Sequence, residues 1–327
     1  MPDTTSLEFR ATVPRFFQDS TRTAADTSVN TANLLYVYAP AHDVEAIQAV
    51  LERNAIPHVM NHYGIRDYQH KTLCFCGLSA LSDIQLSFLV NAANSGARVE
   101  ALLDRLDKRL NFVEVDLLNA DYLLDNDKHQ YATGYQHLLK RGLDVGVSLL
   151  LLALTLPIWL ITAIAIKWES RGSIFFQQRR TGLFNQEFNI LKFRSMCEDA
   201  EKDGARWASK EDSRVTRVGK FIRKTRIDEL PQLLNVLKGE MSIVGPRPER
   251  EVFIRDLEKQ IPFYRFRHTV KPGVTGLAQV RYTYGASVED AMHKHRYDIY
   301  YIKHQSVWMD MRILFDTVRV VLTGQGV

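Results

Sequence analysis

The sequence predicts an α/β N-terminal module joined to an α+β domain that carries a re-entrant membrane helix hairpin and amphipathic interfacial helices. Three observations predict it. Short apolar runs alternate with helically spaced apolar positions between Asn33 and His137. A stretch of 22 residues without charge follows, Val145 to Ile166, and about 20 such residues cross a bilayer as a helix. Charge is also split: residues 1–139 hold 11 Lys+Arg against 17 Asp+Glu, and residues 140–327 hold 31 against 21. The basic half suits an anionic partner, which could be nucleic acid, anionic lipid or a phosphorylated small molecule. At 46% hydrophobic and 24% charged, the chain is neither disordered, collagen-like nor a disulfide mini-protein.

Residues 1–32 are rich in Thr, Ser, Asp and Ala and are expected to be loosely ordered. They show no basic n-region and no apolar h-region, so no signal peptide is expected. Residues 33–137 form the module. Leu34 to Tyr38 predicts a buried strand, and Asp43 to Arg53 a helix carrying Val44, Ile47, Val50 and Leu51 on one face. Thr72 to Cys76 predicts a second strand. Its Cys74 and Cys76 alternate, so they face one side of the core. With Cys197 they make an odd count that fits a reducing compartment better than a disulfide framework. Leu81 to Asn94 predicts a helix started by Ser82 or Asp83 and stopped by Gly96. Arg98–Glu100 and Phe112–Val115 predict two more strands. The pattern is Rossmann-like but degenerate. The loop after the first strand, Ala39-Pro40-Ala41-His42, has no glycine for a phosphate-hugging turn.

Residues 138–172 hold the membrane helix. Pro157 lies mid-run, where it removes an amide donor and clashes with the carbonyl four residues back, so it bends or breaks the helix. Lys140 and Arg141 precede the run, and Lys167 and Arg171 follow it. Positive flanks favour the cytoplasmic side, so both ends are expected on one side and the helix is expected to be re-entrant. Residues 173–327 form the second domain. Ile174–Phe176 and Glu187–Leu191 predict strands around a turn. Glu198–Lys210 and Val218–Lys224 read as helical. Leu230, Leu233, Leu234 and Leu237 mark an amphipathic helix closed by Gly239. Val307 to Arg319 is a further amphipathic helix, suited equally to a membrane surface or to capping the core.

Separated cations around one acidic pair suit phosphate chemistry. Arg offers phosphate a planar fork and Lys a point charge. A carboxylate beside them can hold Mg²⁺ or attack phosphorus. The candidates are Lys192, Arg194, Arg223, Asp228, Glu229 and Arg247. From spacing alone Asp228 and Glu229 read more readily as the acidic start of a helix, where they favour the dipole.

From Lys140 to Val327 the chain resembles the bacterial sugar transferase family, the monotopic polyprenyl-phosphate phosphoglycosyl transferases of exopolysaccharide and O-antigen synthesis. The resemblance rests on Lys140–Asp144, Pro157, Gln178–Gly182, Lys192–Met196, Asp228–Val236, Met241–Glu249 and Lys271–Val280, all in order. It implies transfer of a sugar 1-phosphate from a UDP-sugar to polyprenyl (undecaprenyl) phosphate, with release of UMP. It further implies Mg²⁺ at Asp228, Asp228 as nucleophile of a covalent phosphosugar intermediate, and Glu229 as the residue that positions or activates it. Lys192, Arg223 and Arg247 become phosphate-binding cations, and Arg180 and Arg194 lie in matching motifs. Location at the bacterial inner membrane, with both domains facing the cytoplasm, goes with it. The chain departs from the family at Leu156, at Ser170-Arg171-Gly172-Ser173 and at Asn185, none of which touches the acidic pair. An inactive membrane-tethered scaffold of a polysaccharide assembly complex is the alternative. Nucleic acid is not expected as a partner, because no recognisable motif accompanies the basic half. The module is a candidate homodimer surface.

Overall fold

The computed structural model describes residues 34–125, 134–197, 200, 212–282 and 287–323. The expected loose segment 1–32 and nearly all of the expected helix 198–210 lie outside the described residues.

The module is a four-stranded parallel sheet of order β2-β1-β3-β4. In chain order its elements are β1 Leu35–Tyr38, α1 Val44–Arg53, β2 His58–Met60, β3 Thr72–Phe75, α2 Asp83–Asn94, β4 Arg98–Ala101, α3 Leu102–Leu110 and α4 Ala120–Leu124. Leu35 and Val37 point into a core with Ile47, Leu51, Leu102 and Leu106, and Cys74 and Cys76 share that side as expected. Tyr38 and Leu73 pack on the other face with Leu89 and Ala92. Ser82 and Gln85 close a capping box at the start of α2. Two strands differ from the sequence reading. β2 is a three-residue edge strand of half-buried residues, too short for periodicity to reveal. Phe112–Val115 is not a strand. There the Val113 amide donates to Arg296 O, and the wholly buried Glu114 receives Arg53 and Arg296, so this segment joins the second domain instead of the sheet.

A helix of 36 residues follows, α5 Gly134–Glu169, about 54 Å of rise. It runs through Pro157 without interruption. The chain stays helical at Pro157 and does not unwind there; the missing amide donor and the ring's clash with the preceding turn leave a bend, not a gap, as what this residue can supply. Only 11% of its most apolar 18-residue window is buried, which sets it apart from a soluble core helix. Both ends are nevertheless fastened to the same domain. At the first end Lys140 Nζ meets Asp310 at 2.6 Å, Arg141 donates to the carbonyls of Val236 and Leu237, and Asp144 accepts from Ser242 Oγ and Ile243 N. At the second end Ile166 packs on Phe193 and Ile222, and Glu169 accepts from the amides of Arg217 and Val218.

The second domain opens with the antiparallel hairpin β5 Phe175–Thr181 and β6 Glu187–Phe193. Its turn uses Asn185 at φ +59°, a left-handed conformation that Asn tolerates. Next come α6 Arg217–Lys224, a single 3₁₀ turn Ile227–Glu229, and α7 Gln232–Lys238, ended by Gly239 at φ +87°. β7 Ser242–Val244 pairs in parallel with β8 Gly273–Thr275, with α8 Glu251–Leu257 between them. Main chain lies directly on main chain here. A Cβ on Gly245, Gly273 or Gly276 would approach backbone atoms to 2.4, 2.1 and 2.2 Å, which explains the glycines of these two motifs. α9 Leu277–Arg281, α10 Val288–His304 and α11 Val307–Thr323 complete the domain. α10 is shared between domains: Ile299 is buried in the module's core, and His304 meets Asp107 at 2.8 Å.

Candidate active site

The site is assembled from three segments that the sheet and helices bring together. β6 presents Lys192. The 3₁₀ turn presents Asp228 and Glu229, entered through Arg226 at φ +59°. The Gly245–Pro248 turn after β7 presents Arg247. Glu229 is the hub: its Oε1 accepts from Lys192 Nζ at 3.0 Å and from Arg247 Nη2 at 2.6 Å. Arg247 is held in turn through its backbone. Arg267, itself paired with Asp298 at 2.8 Å and donating to Tyr264 Oη, donates to Arg247 O at 3.0 Å. Arg180 borders the cluster and meets Glu249 Oε2 and Pro248 O, each at 3.2 Å.

The two neighbouring carboxyls have opposite electrostatics. Burial alone would raise Glu229, but Arg247 and Lys192 outweigh it and hold the group well below the ordinary carboxylate range. For Asp228, burial and then the Glu229 charge push the group up to about 6, against the pull of Lys192, Arg247 and Arg223. Asp228 is 7% exposed, and among the described residues its carboxylate takes part in no hydrogen bond or ion pair. Burial lowers Lys192 and Arg180. The result is one committed anion among cations and, beside it, a basic uncommitted carboxylate, as a nucleophile at phosphorus requires.

A cleft of about 370 Å³ runs past Glu229 and Arg247. Arg267 and Lys294 line its polar part, and Leu151 of α5 and Val320 of α11 line its apolar part. Among the described residues no three His, Cys, Asp or Glu side chains gather to hold a metal. Mg²⁺ commonly takes one or two carboxylates and completes its shell with substrate phosphates and water. Asp228, the uncommitted carboxylate of the pair, fits that mode and no all-protein cage.

The expected residues therefore divide. Lys192, Asp228, Glu229, Arg247 and Arg180 come together, and Arg223 lies within electrostatic reach of Asp228. Arg194 does not join them. Its guanidinium donates to Ser170 O, Ser170 Oγ and Arg171 O at 2.9, 2.7 and 2.8 Å. It closes the C-terminus of α5, where the carbonyls lack helical partners. Tyr264, Arg267, Lys294 and Asp298 escape sequence reasoning, because only the fold brings residues 31 positions apart, such as Arg267 and Asp298, into contact.

A family model described as bacterial sugar transferase matches residues 135–324. Among curated relatives, a UDP-N-acetylgalactosamine-undecaprenyl-phosphate N-acetylgalactosaminephosphotransferase of Aeromonas hydrophila is 50% identical over 188 residues, covering 58% of this chain and 44% of the relative. A UDP-glucose:undecaprenyl-phosphate glucose-1-phosphate transferase of Caulobacter vibrioides is 47% identical over 189 residues, covering 57% and 70%. An exopolysaccharide production protein PSS of Rhizobium leguminosarum bv. phaseoli is 42% identical over 196 residues, covering 58% and 98%. The chain thus spans less than half the length of the Aeromonas protein. With the match extending over the apolar helix, the acidic pair and every cation around it, the chain belongs to the bacterial sugar transferase family.

Proposed function

We propose that the chain transfers a hexose 1-phosphate from a UDP-sugar to polyprenyl phosphate at a membrane surface, releasing UMP, in two steps through Asp228. The observation that carries this reading is the Asp228 carboxylate, uncommitted and basic beside a Glu229 locked between Lys192 and Arg247. Asp228 Oδ attacks the phosphorus next to the sugar. A P–O(Asp) bond forms, the bridging P–O bond breaks, and its electron pair leaves on UMP. A phosphate oxygen of the acceptor then attacks the same phosphorus, the P–O(Asp) bond breaks and the carboxylate is regenerated. Lys192, Arg223 and Arg247 stabilise the charge that develops on the equatorial oxygens. Glu229 holds Lys192 and Arg247 in place. Asp228 would be the residue that holds Mg²⁺, and the ion would supply positive charge to offset the charge of the leaving phosphate.

The placement of both ends of α5 on one domain, with Lys140, Arg141, Lys167 and Arg171 around them, supports a re-entrant helix whose flanks face the cytoplasm at the inner membrane. The relatives' names include both N-acetylgalactosamine and glucose transfer, so the proposed donor class is a UDP-hexose. Incubation with a UDP-sugar labelled at the sugar phosphate, without acceptor, should label the enzyme and release one UMP per chain, and Asp228→Asn should do neither. Full turnover in Asp228→Asn would refute the nucleophile.

A further inference from the structure

The cleft has two chemically different ends, and the proposed reaction gives it two substrates. The polar end is built by Arg247, Arg267 and Lys294. The other end is built by Leu151 of α5, Leu230 and Val274, with Val320 and Val321 of α11 opposite. Leu151, Leu230 and Val274 pack against one core cluster, so this wall is fixed. Thr275 and Thr317 hydrogen-bond at 2.8 Å and pin α11 to β8 along it. The apolar end is open rather than sealed: Val321, which lines it, is 49% exposed. Its Leu151 stands next to Leu150 and one turn from Leu154 on α5, and these two are 59% and 66% exposed. A sugar nucleotide has nothing to place there, whereas an amphiphile with a phosphate head and a hydrocarbon tail matches both the wall and the cations beyond it.

Resting on the transferase reading, we infer that the groove between α5 and α11 takes the first isoprene units of the acceptor and guides its phosphate toward Glu229 and Arg247, which line the cleft next to Asp228. Val320 and Val321 are then residues that select a long-chain lipid phosphate, and they play no part in donor binding. The bilayer-facing side of α5 and this groove form one continuous path for the lipid.

The test separates the two half-reactions in the full chain, purified in detergent. Val320→Ser/Val321→Ser should raise KM for a long-chain polyprenyl phosphate about ten-fold. It should leave the acceptor-free release of one UMP, and the KM for the UDP-sugar, as in wild type. KM for a water-soluble three-isoprene phosphate should rise less, because it has less chain to lay in the groove. Val321→Trp, which fills the groove instead of wetting it, should give the same split. An unchanged long-chain KM in both variants overturns the inference, and so does a rise confined to the donor KM, which would put the nucleotide in the groove. A wild-type enzyme that releases no UMP from any UDP-sugar overturns the underlying transferase reading instead.

Discussion

Asp228→Asn should abolish turnover and at the same time make the protein more stable at alkaline pH. In the folded chain burial and the Glu229 charge hold Asp228 at about 6 rather than 3.8. Its folded-state affinity for a proton is thus raised, so ionising it in place costs free energy that the unfolded chain does not incur. Above pH 6 the group is ionised in both states, and that displacement amounts to about 3 kcal/mol of lost stability. Between 6 and 3.8 the cost fades as the folded carboxyl takes up its proton, and below 3.8 it is gone. Only 7% of the residue is exposed, so solvent screening removes little of it. Asparagine keeps the shape without the charge, and should gain about 2–3 kcal/mol at about pH 8 and close to nothing below about pH 4. The assay is denaturant unfolding of both proteins in the same detergent with chelator present, at the two pH values. A variant less stable than wild type at alkaline pH would refute the reasoning. It would mean that Lys192, Arg247 and Arg223 hold Asp228 as an ion-pair partner and that no free nucleophile is kept there.

Other outcomes follow from the same geometry. Glu229→Gln removes the negative neighbour that raises Asp228 while the cations remain. The acid limb of the UMP-releasing step should therefore move below pH 6, and the step itself should slow by about 10²-fold or more as Lys192 and Arg247 lose their anchor; a limb that stays put contradicts the coupling. Arg194→Lys should cost about 1–3 kcal/mol by leaving the end of α5 uncapped, with UMP release per folded chain intact. Weakened donor binding at unchanged stability would restore Arg194 to the phosphate site. Asp298→Asn should destabilise by about 3–5 kcal/mol, because Arg267 is left buried without its counter-ion, as read by unfolding. Cysteines at Tyr135 and Trp168, 70% and 88% exposed, should both react with an impermeant reagent from the same face of inverted vesicles in a Cys197→Ser background. Reaction from opposite faces would exclude the re-entrant helix.

What the sequence disclosed depended on whether the signal was local. β1, α1, β3, α2 and β4 carry complete apolar periods or caps within a dozen residues, and each emerges close to its expected bounds. The apolar run of α5 and the Leu230–Leu237 spacing are equally local. Phe112–Val115 misled because its alternating apolar residues serve a contact with Arg296, far along the chain. Arg194 misled for a related reason. It sits two residues from Lys192, yet its guanidinium is spent on Ser170 and Arg171, and spacing along a strand does not reveal which polar atoms the fold leaves short of partners. At Pro157 the helix continues because the residues on both sides favour it, so the missing donor does not end the element and bending is what the local rule leaves there. The Arg267–Asp298 clamp has no local signature at all, because each half is an ordinary charge on its own element.

The acidic pair was ambiguous in sequence because adjacent positions on an α-helix diverge by about 100°, which argues against a shared task. The structure keeps the divergence and gives it a use. The pair occupies its own 3₁₀ turn, set off from α6 by the left-handed Arg226. Three residues per turn separate neighbouring side chains by about 120°. One carboxylate is thereby aimed at Lys192 and Arg247, while the next is left without a partner and within their field. Were both aimed at the cations, Asp228 would be stabilised as an anion and would lose basicity, hence nucleophilicity. Were neither, the two half-buried cations would face each other without a counter-charge before any phosphate arrived. On the proposed mechanism, the divergence that makes the pair look unrelated on paper lets Glu229 hold Lys192 and Arg247 ready for phosphate while Asp228 stays free to attack.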